Sequence, residues 1–74
     1  MKILIADDEK DIRKLIKVYL LTNDYEILES ENGIEVLDKI DDSIDLVILD
    51  VMMPKMDGIQ TCIKIRERYI GFAF

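Results

Sequence analysis

Three aspartates carry the chemistry that this sequence offers. Asp7 and Asp8 stand together directly after the apolar run ILIA, and Asp50 closes the apolar run LVIL, ahead of the loop VMMPKMDG. A single acid at the end of an apolar run is usually a solvated loop-starter. Acids at the ends of two such runs are a different matter if the runs are neighbours. Three carboxylates then share one rim and repel each other unless a cation neutralises them. The chain has no histidine and one cysteine, Cys62, so the available ligands are hard oxygens, which select Mg2+, or Mn2+ in its place. Magnesium held by one or two carboxylates completes its shell with water and phosphoryl oxygens, which points to phosphoryl chemistry.

The elements that must position these acids can be read from hydrophobic periodicity. Ile3 to Ala6 is short and rich in β-branched residues, and it reads as a strand buried on both faces. Ile12, Leu15, Ile16, Tyr19 and Leu20 follow at helical spacing and predict an amphipathic helix with one continuous apolar stripe. Asp8, Glu9 and Asp11 lie at its start, where the helix dipole favours negative charge. Tyr25 to Ser30 reads as a second strand, less apolar and so expected at an edge. Asn32-Gly33 is compatible with a hairpin turn, but Ile34, Leu37 and Ile40 repeat at helical spacing, which favours a helix. Asp45 to Asp50 is the third and most apolar strand, and Ile59, Cys62 and Ile63 mark a third helix running to about Tyr69. The order β-α-β-α-β-α predicts one α/β domain built on a parallel sheet. In such sheets ligands bind at the carboxyl ends of the strands, where Asp7, Asp8 and Asp50 lie.

Composition narrows the function classes. The 74 residues carry a net charge of −6 without a basic cluster, which disfavours direct nucleic acid binding by this chain. The absence of histidine removes the commonest general base and zinc ligand. A lone cysteine precludes an internal disulfide and fits a reducing compartment. No apolar run reaches the length of a membrane span. The expectation is a cytoplasmic protein with no membrane contact.

The stretches ILIADDE and VILDVMMPKMDG resemble the first strand with its acidic pair, and the third strand with its loop, of the receiver domain of bacterial two-component response regulators. The second motif, a strand, an Asp, then Met-Pro-x-Met-Asp-Gly, is highly specific. The resemblance implies that Asp50 is the phosphoacceptor, attacking the phosphohistidine of a sensor histidine kinase. It implies an Mg2+ site in which Asp8 binds directly and Asp7 binds through water or as a further ligand. Asp50 and the backbone carbonyl of Met52 would complete the protein ligands. Pro54 would stiffen the loop, and Gly58 would allow a turn or close backbone approach at the start of the third helix. A module that accepts and passes on a phosphoryl group is a signalling part rather than an enzyme.

The family fold is a doubly wound, flavodoxin-like sheet with strand order 2-1-3-4-5. The resemblance covers residues 1–69 and roughly the first three-fifths of a domain of usual size, which predicts strand order 2-1-3 without the last two strands. The Ser or Thr and the Lys that end the family's fourth and fifth strands have no counterpart here, and residues 70–74, IGFAF, are off pattern. The third strand would then lie at an edge, where flat apolar strands pair with other chains. That predicts a homodimer or larger assembly, through this edge or through the tail. A second reading follows, a truncated, non-switching fragment that serves as an oligomeric scaffold or as a decoy docking on a kinase.

The remaining residues have simpler readings. Glu9 and Asp11 are favourable helix-start charges, and Met52, Met53 and Met56 are loop and packing residues. Cys62 is a small core residue, Lys55 is solvated, and the charges from Lys64 to Arg68 form a solvated helix face.

Overall fold

The computed structural model describes residues 1–20 and 23–68. Tyr69, the expected end of the third helix, and the tail 70–74 lie outside the described residues. The elements are β1 (Lys2–Ala6), α1 (Lys10–Leu20), β2 (Glu26–Ser30), α2 (Gly33–Lys39), β3 (Leu46–Leu49) and α3 (Gly58–Arg68). The sheet has order β2-β1-β3 and is parallel throughout, Ile5 facing Glu29 on one side and Ile48 on the other. The expected α/β class and strand order 2-1-3 are therefore those observed.

Central position explains the composition of β1. With a neighbour on each edge and helices over its faces, Ile3, Leu4, Ile5 and Ala6 are all buried. Leu4, Ala6 and Val47 point to one face and pack with Val36, Ile40, Ile44, Met53 and Ile65 into the core beneath α2 and α3. Ile3 and Ile5 point to the opposite face. Glu29, in register with Ile5, tethers α1 there through Lys17 and Arg13.

Asn32 resolves the hairpin-or-helix ambiguity. Its backbone is extended, and its side-chain Oδ1 accepts the Glu35 N–H at 2.9 Å, which caps α2. Glu35 reaches back, Oε1 accepting the Glu31 N–H at 3.2 Å, in the manner of a capping box. At α3, Asp57 Oδ1 accepts the Gln60 N–H at 2.8 Å and plays the same part.

The inward faces of the helices differ from those periodicity predicts. In α1 the residue buried most is Arg13, with Ile16, Lys17 and Leu20 half-buried one turn after another. Ile12, Leu15 and Tyr19, expected in the buried stripe, are exposed, Tyr19 at 77%. In α2, Ile34 is exposed while Gly33, Val36 and Ile40 are buried. In α3, Ile59 and Ile63 are exposed, Cys62 is half-buried, and Gly58, Thr61 and Ile65 face inward. Ile59, Cys62 and Ile63 line an apolar groove beside Ile48 and Leu49 of β3. Among the described residues, no strand pairs with the outer edge of β3.

Candidate functional site

Backbone hydrogen bonds carry the strand ladders one residue past their ends and so place two of the three acids. The Asp7 N–H donates to the carbonyl of Ser30 at 3.1 Å, and the Asp50 N–H donates to the carbonyl of Ala6 at 2.9 Å. Asp7 and Asp50 are thus locked to neighbouring strand ends at the carboxyl side of the sheet, and Asp8 follows at the first free position of the loop. Carboxylate oxygens of Asp7, Asp8 and Asp50 lie within 4.8 Å of one another. Asp7 is 9% exposed, Asp50 is half-buried and Asp8 is open to solvent.

Local hydrogen bonds orient two of these carboxylates. Asp7 Oδ1 accepts the Glu9 N–H at 2.9 Å, and Asp50 Oδ1 accepts the Met52 N–H at 3.3 Å. Among the described residues, neither Asp8 nor Asp50 takes part in an ion pair. Three carboxylates this close, with one side open and, among the described residues, no cationic side chain paired to any of them, suit a hard divalent cation that keeps part of its water shell. The donor set therefore fits Mg2+ or Mn2+. Met52 stands two residues past Asp50 and is 78% exposed, so its side chain packs little.

Two glycines let the loop 51–57 close against the site. A Cβ on Gly58 would fall 2.2 Å from the Asp50 carbonyl oxygen, and the Gly58 N–H donates to the Val51 carbonyl at 3.0 Å. The expected close approach at Gly58 is therefore present, and its neighbour is the backbone of Asp50 itself. A Cβ on Gly33 would meet Thr61 Oγ1 at 1.9 Å, while the Gly33 N–H donates to the Met56 carbonyl at 3.1 Å. Between these anchors, Lys55 holds φ at 66°, and the Met56 N–H donates across it to the Pro54 carbonyl at 2.7 Å, forming a three-residue turn. Lys55 is exposed, as expected of a solvated side chain.

Sequence reasoning missed Arg13. It is 6% exposed, and Nη1 donates to the Asp7 carbonyl at 2.6 Å while Nε donates to Glu29 Oε1 at 3.0 Å. Glu29 also accepts from Lys17 Nζ at 3.1 Å. These two cations, Lys17 first, hold its carboxyl below the usual glutamate value against the opposing effect of burial. A lone arginine among helix charges carries no sequence signal of such a role.

Residues 3–72 match the family model described as the response regulator receiver domain. The chain is 48% identical over 68 residues to the transcriptional regulatory protein ResD of Bacillus subtilis, covering 90% of this chain and 28% of that protein. It is 41% identical over 68 residues to the transcriptional regulatory protein CpxR of Escherichia coli, covering 92% of this chain and 29% of that protein. Among solved structures, it is similar to the response regulator TrrA of Thermotoga maritima in complex with Mg2+-BeF. The TM-score there is 0.82 at 43% identity, over 90% of this chain and 59% of that one. It is similar as well to a chain in the complex of the histidine kinase ThkA with TrrA, with a TM-score of 0.87 at 42% identity, over 95% of this chain and 61% of that one. The chain thus spans less than a third of these curated relatives and about three-fifths of these solved chains. With a family match across nearly all of its length and a receiver-like sheet carrying the acids at one rim, the chain belongs to the response regulator receiver domain family.

Proposed function

We propose that the chain is a phosphoryl-accepting receiver module of a two-component phosphorelay, with Asp50 as phosphoacceptor. The observation that carries this reading is the convergence of Asp7, Asp8 and Asp50 within 4.8 Å at one sheet rim. A carboxylate oxygen of Asp50 attacks the phosphorus of a phosphohistidine, and the P–N bond breaks with its electron pair left on the imidazole nitrogen. Asp7, Asp8, Asp50 and the Met52 carbonyl would hold Mg2+, which when bound offsets charge on the transferred group. The protein's own contribution is positional. The ladder bond to Ala6 fixes the Asp50 backbone, and the Met52 N–H orients one of its carboxylate oxygens.

The donor in this reading is a sensor histidine kinase, the class of partner with which TrrA stands in complex. The module takes up one phosphoryl group per chain rather than turning over, so it is not proposed to be an enzyme, and it acts in the cytoplasm. No helix among the described residues is long and apolar enough to cross a membrane. The test is incubation with acetyl phosphate and Mg2+ followed by intact mass. One phosphoryl adduct is expected for the wild type and none for Asp50→Asn; an adduct that persists in Asp50→Asn contradicts the assignment.

A second reading is favoured by the outer edge of β3, which no strand covers among the described residues, and by the apolar groove beside it. Here two copies associate through that edge, and the chain serves as an oligomeric scaffold or kinase-docking decoy. Sedimentation equilibrium separates the two, since a monodisperse monomer at high concentration contradicts self-association. The tail 70–74, the alternative exchange element, lies outside the described residues.

A further inference from the structure

We propose that Arg13 is a positioning residue for the acidic cluster, holding the peptide group between Asp7 and Asp8 so that both carboxylates face Asp50. The proposal rests on the reading of the cluster as an Mg2+ site. Arg13 does not touch the carboxylates. Its Nη1 donates at 2.6 Å to the Asp7 carbonyl oxygen, which belongs to the peptide plane that leads into Asp8. The other side of Asp7 is already fixed, its N–H bonded to Ser30 and its Oδ1 to the Glu9 N–H. Asp8, exposed and without an ion pair among the described residues, lies inside the turn between Asp7 and Glu9. Arg13 and the Glu9 N–H thus restrain the turn through Asp8 together, and the Arg13 contact is the one that holds the Asp7–Asp8 peptide plane.

The guanidinium is itself anchored. Nε donates to Glu29 Oε1 at 3.0 Å, Nη2 lies 3.9 Å from Glu31 Oε1, and the side chain is 8% exposed. A planar fork that bonds a β2 carboxylate with one nitrogen and the β1–α1 loop with another ties α1, β2 and the loop into one unit. The Asp7 carbonyl satisfies one donor of this buried guanidinium and, through the same bond, fixes the peptide plane that leads into Asp8. Groups that orient ligands without touching the metal change metal affinity when removed.

Charge and position make opposite predictions, so the test is decisive. If Arg13 acted on the site through its charge alone, its removal would make the rim more negative and tighten Mg2+ binding. If it positions Asp8, removal weakens binding. Amide NMR of the 74-residue chain, titrated with Mg2+ at constant ionic strength, reads affinity and fold integrity together. Arg13→Gln is expected to raise the Mg2+ dissociation constant about tenfold. Arg13→Lys, with charge but no fork, should weaken binding less. Glu29→Gln loosens the same ion pair while leaving the loop carbonyl contact, and should lower thermal stability with Mg2+ affinity changed less than twofold. Unchanged or tighter binding in Arg13→Gln overturns the proposal. If Arg13→Gln lacks dispersed amide signals, unchanged or tighter binding in Arg13→Lys overturns it. Absence of Mg2+ binding by the wild type overturns both this proposal and the metal reading beneath it, whereas wild-type binding with an indifferent Arg13 variant removes this proposal alone.

Discussion

The α-carbon of Gly58 sits so close to Asp50 that a single added methyl group would lie 2.2 Å from the Asp50 carbonyl oxygen. The start of α3 is thereby pressed onto the residue proposed as phosphoacceptor, and the obstructing atoms are backbone, which cannot rotate aside. Gly58→Ala should destabilise the fold by about 2 kcal/mol through overpacking. It should also slow phosphoryl uptake at Asp50. Urea unfolding gives the first quantity and intact mass over time gives the second; a variant as stable and as reactive as the wild type contradicts the close packing.

Lys55 should tolerate, and gain from, glycine. Its φ of 66° lies in the left-handed region, which costs an L-residue with a side chain but not glycine. The side chain is exposed, so little packing is lost. Lys55→Gly should stabilise the protein by about 0.5 kcal/mol, the relief of strain being partly offset by a freer unfolded chain. Thermal unfolding should show a midpoint higher by about 2–4 °C.

Acid should weaken the link between α1 and β2. Lys17 and Arg13 hold the Glu29 carboxyl below its usual value of 4.5. A depressed folded-state value means that Glu29 contributes stability above the unfolded value and loses it as pH falls through the folded one. As pH falls below the usual glutamate value of 4.5, the wild type should therefore lose more stability than Glu29→Gln, whose side chain does not titrate. Urea midpoints at a series of pH values check this. Parallel pH profiles for the two proteins would contradict the role of Glu29.

The parts of this fold legible in sequence were those fixed by one-dimensional pattern. The apolar runs ending in Asp7 and Asp50 locate the strand ends, and the spacing of Ile34, Leu37 and Ile40 favours the second helix. Its cap, Asn32 with Glu35, emerges only from the hydrogen bonds. What periodicity could not supply was which side of each helix the sheet covers. In α3 the inward positions are Gly58, Thr61 and Ile65, because glycine permits backbone approach and Thr61 satisfies its hydroxyl on the Asp57 carbonyl at 2.7 Å. The more apolar Ile59 and Ile63 are left at the groove beside β3. In α1, Arg13 is buried because Asp7 and Glu29 supply its partners from elements distant in sequence. Hydrophobicity ranks residues one at a time; a buried arginine depends on two acceptors that only the folded chain brings together.

The central claim is that Asp50 accepts a phosphoryl group at a metal-dependent site formed with Asp7 and Asp8. Its most direct measurement is chemical mapping of the modified residue. After treatment with acetyl phosphate and Mg2+, borohydride reduction converts an aspartyl phosphate to homoserine, which peptide mass spectrometry locates. The account predicts homoserine at position 50, abolished by removing Mg2+ with a chelator. Homoserine at another aspartate, or modification of Asp50 that survives chelation, would contradict it.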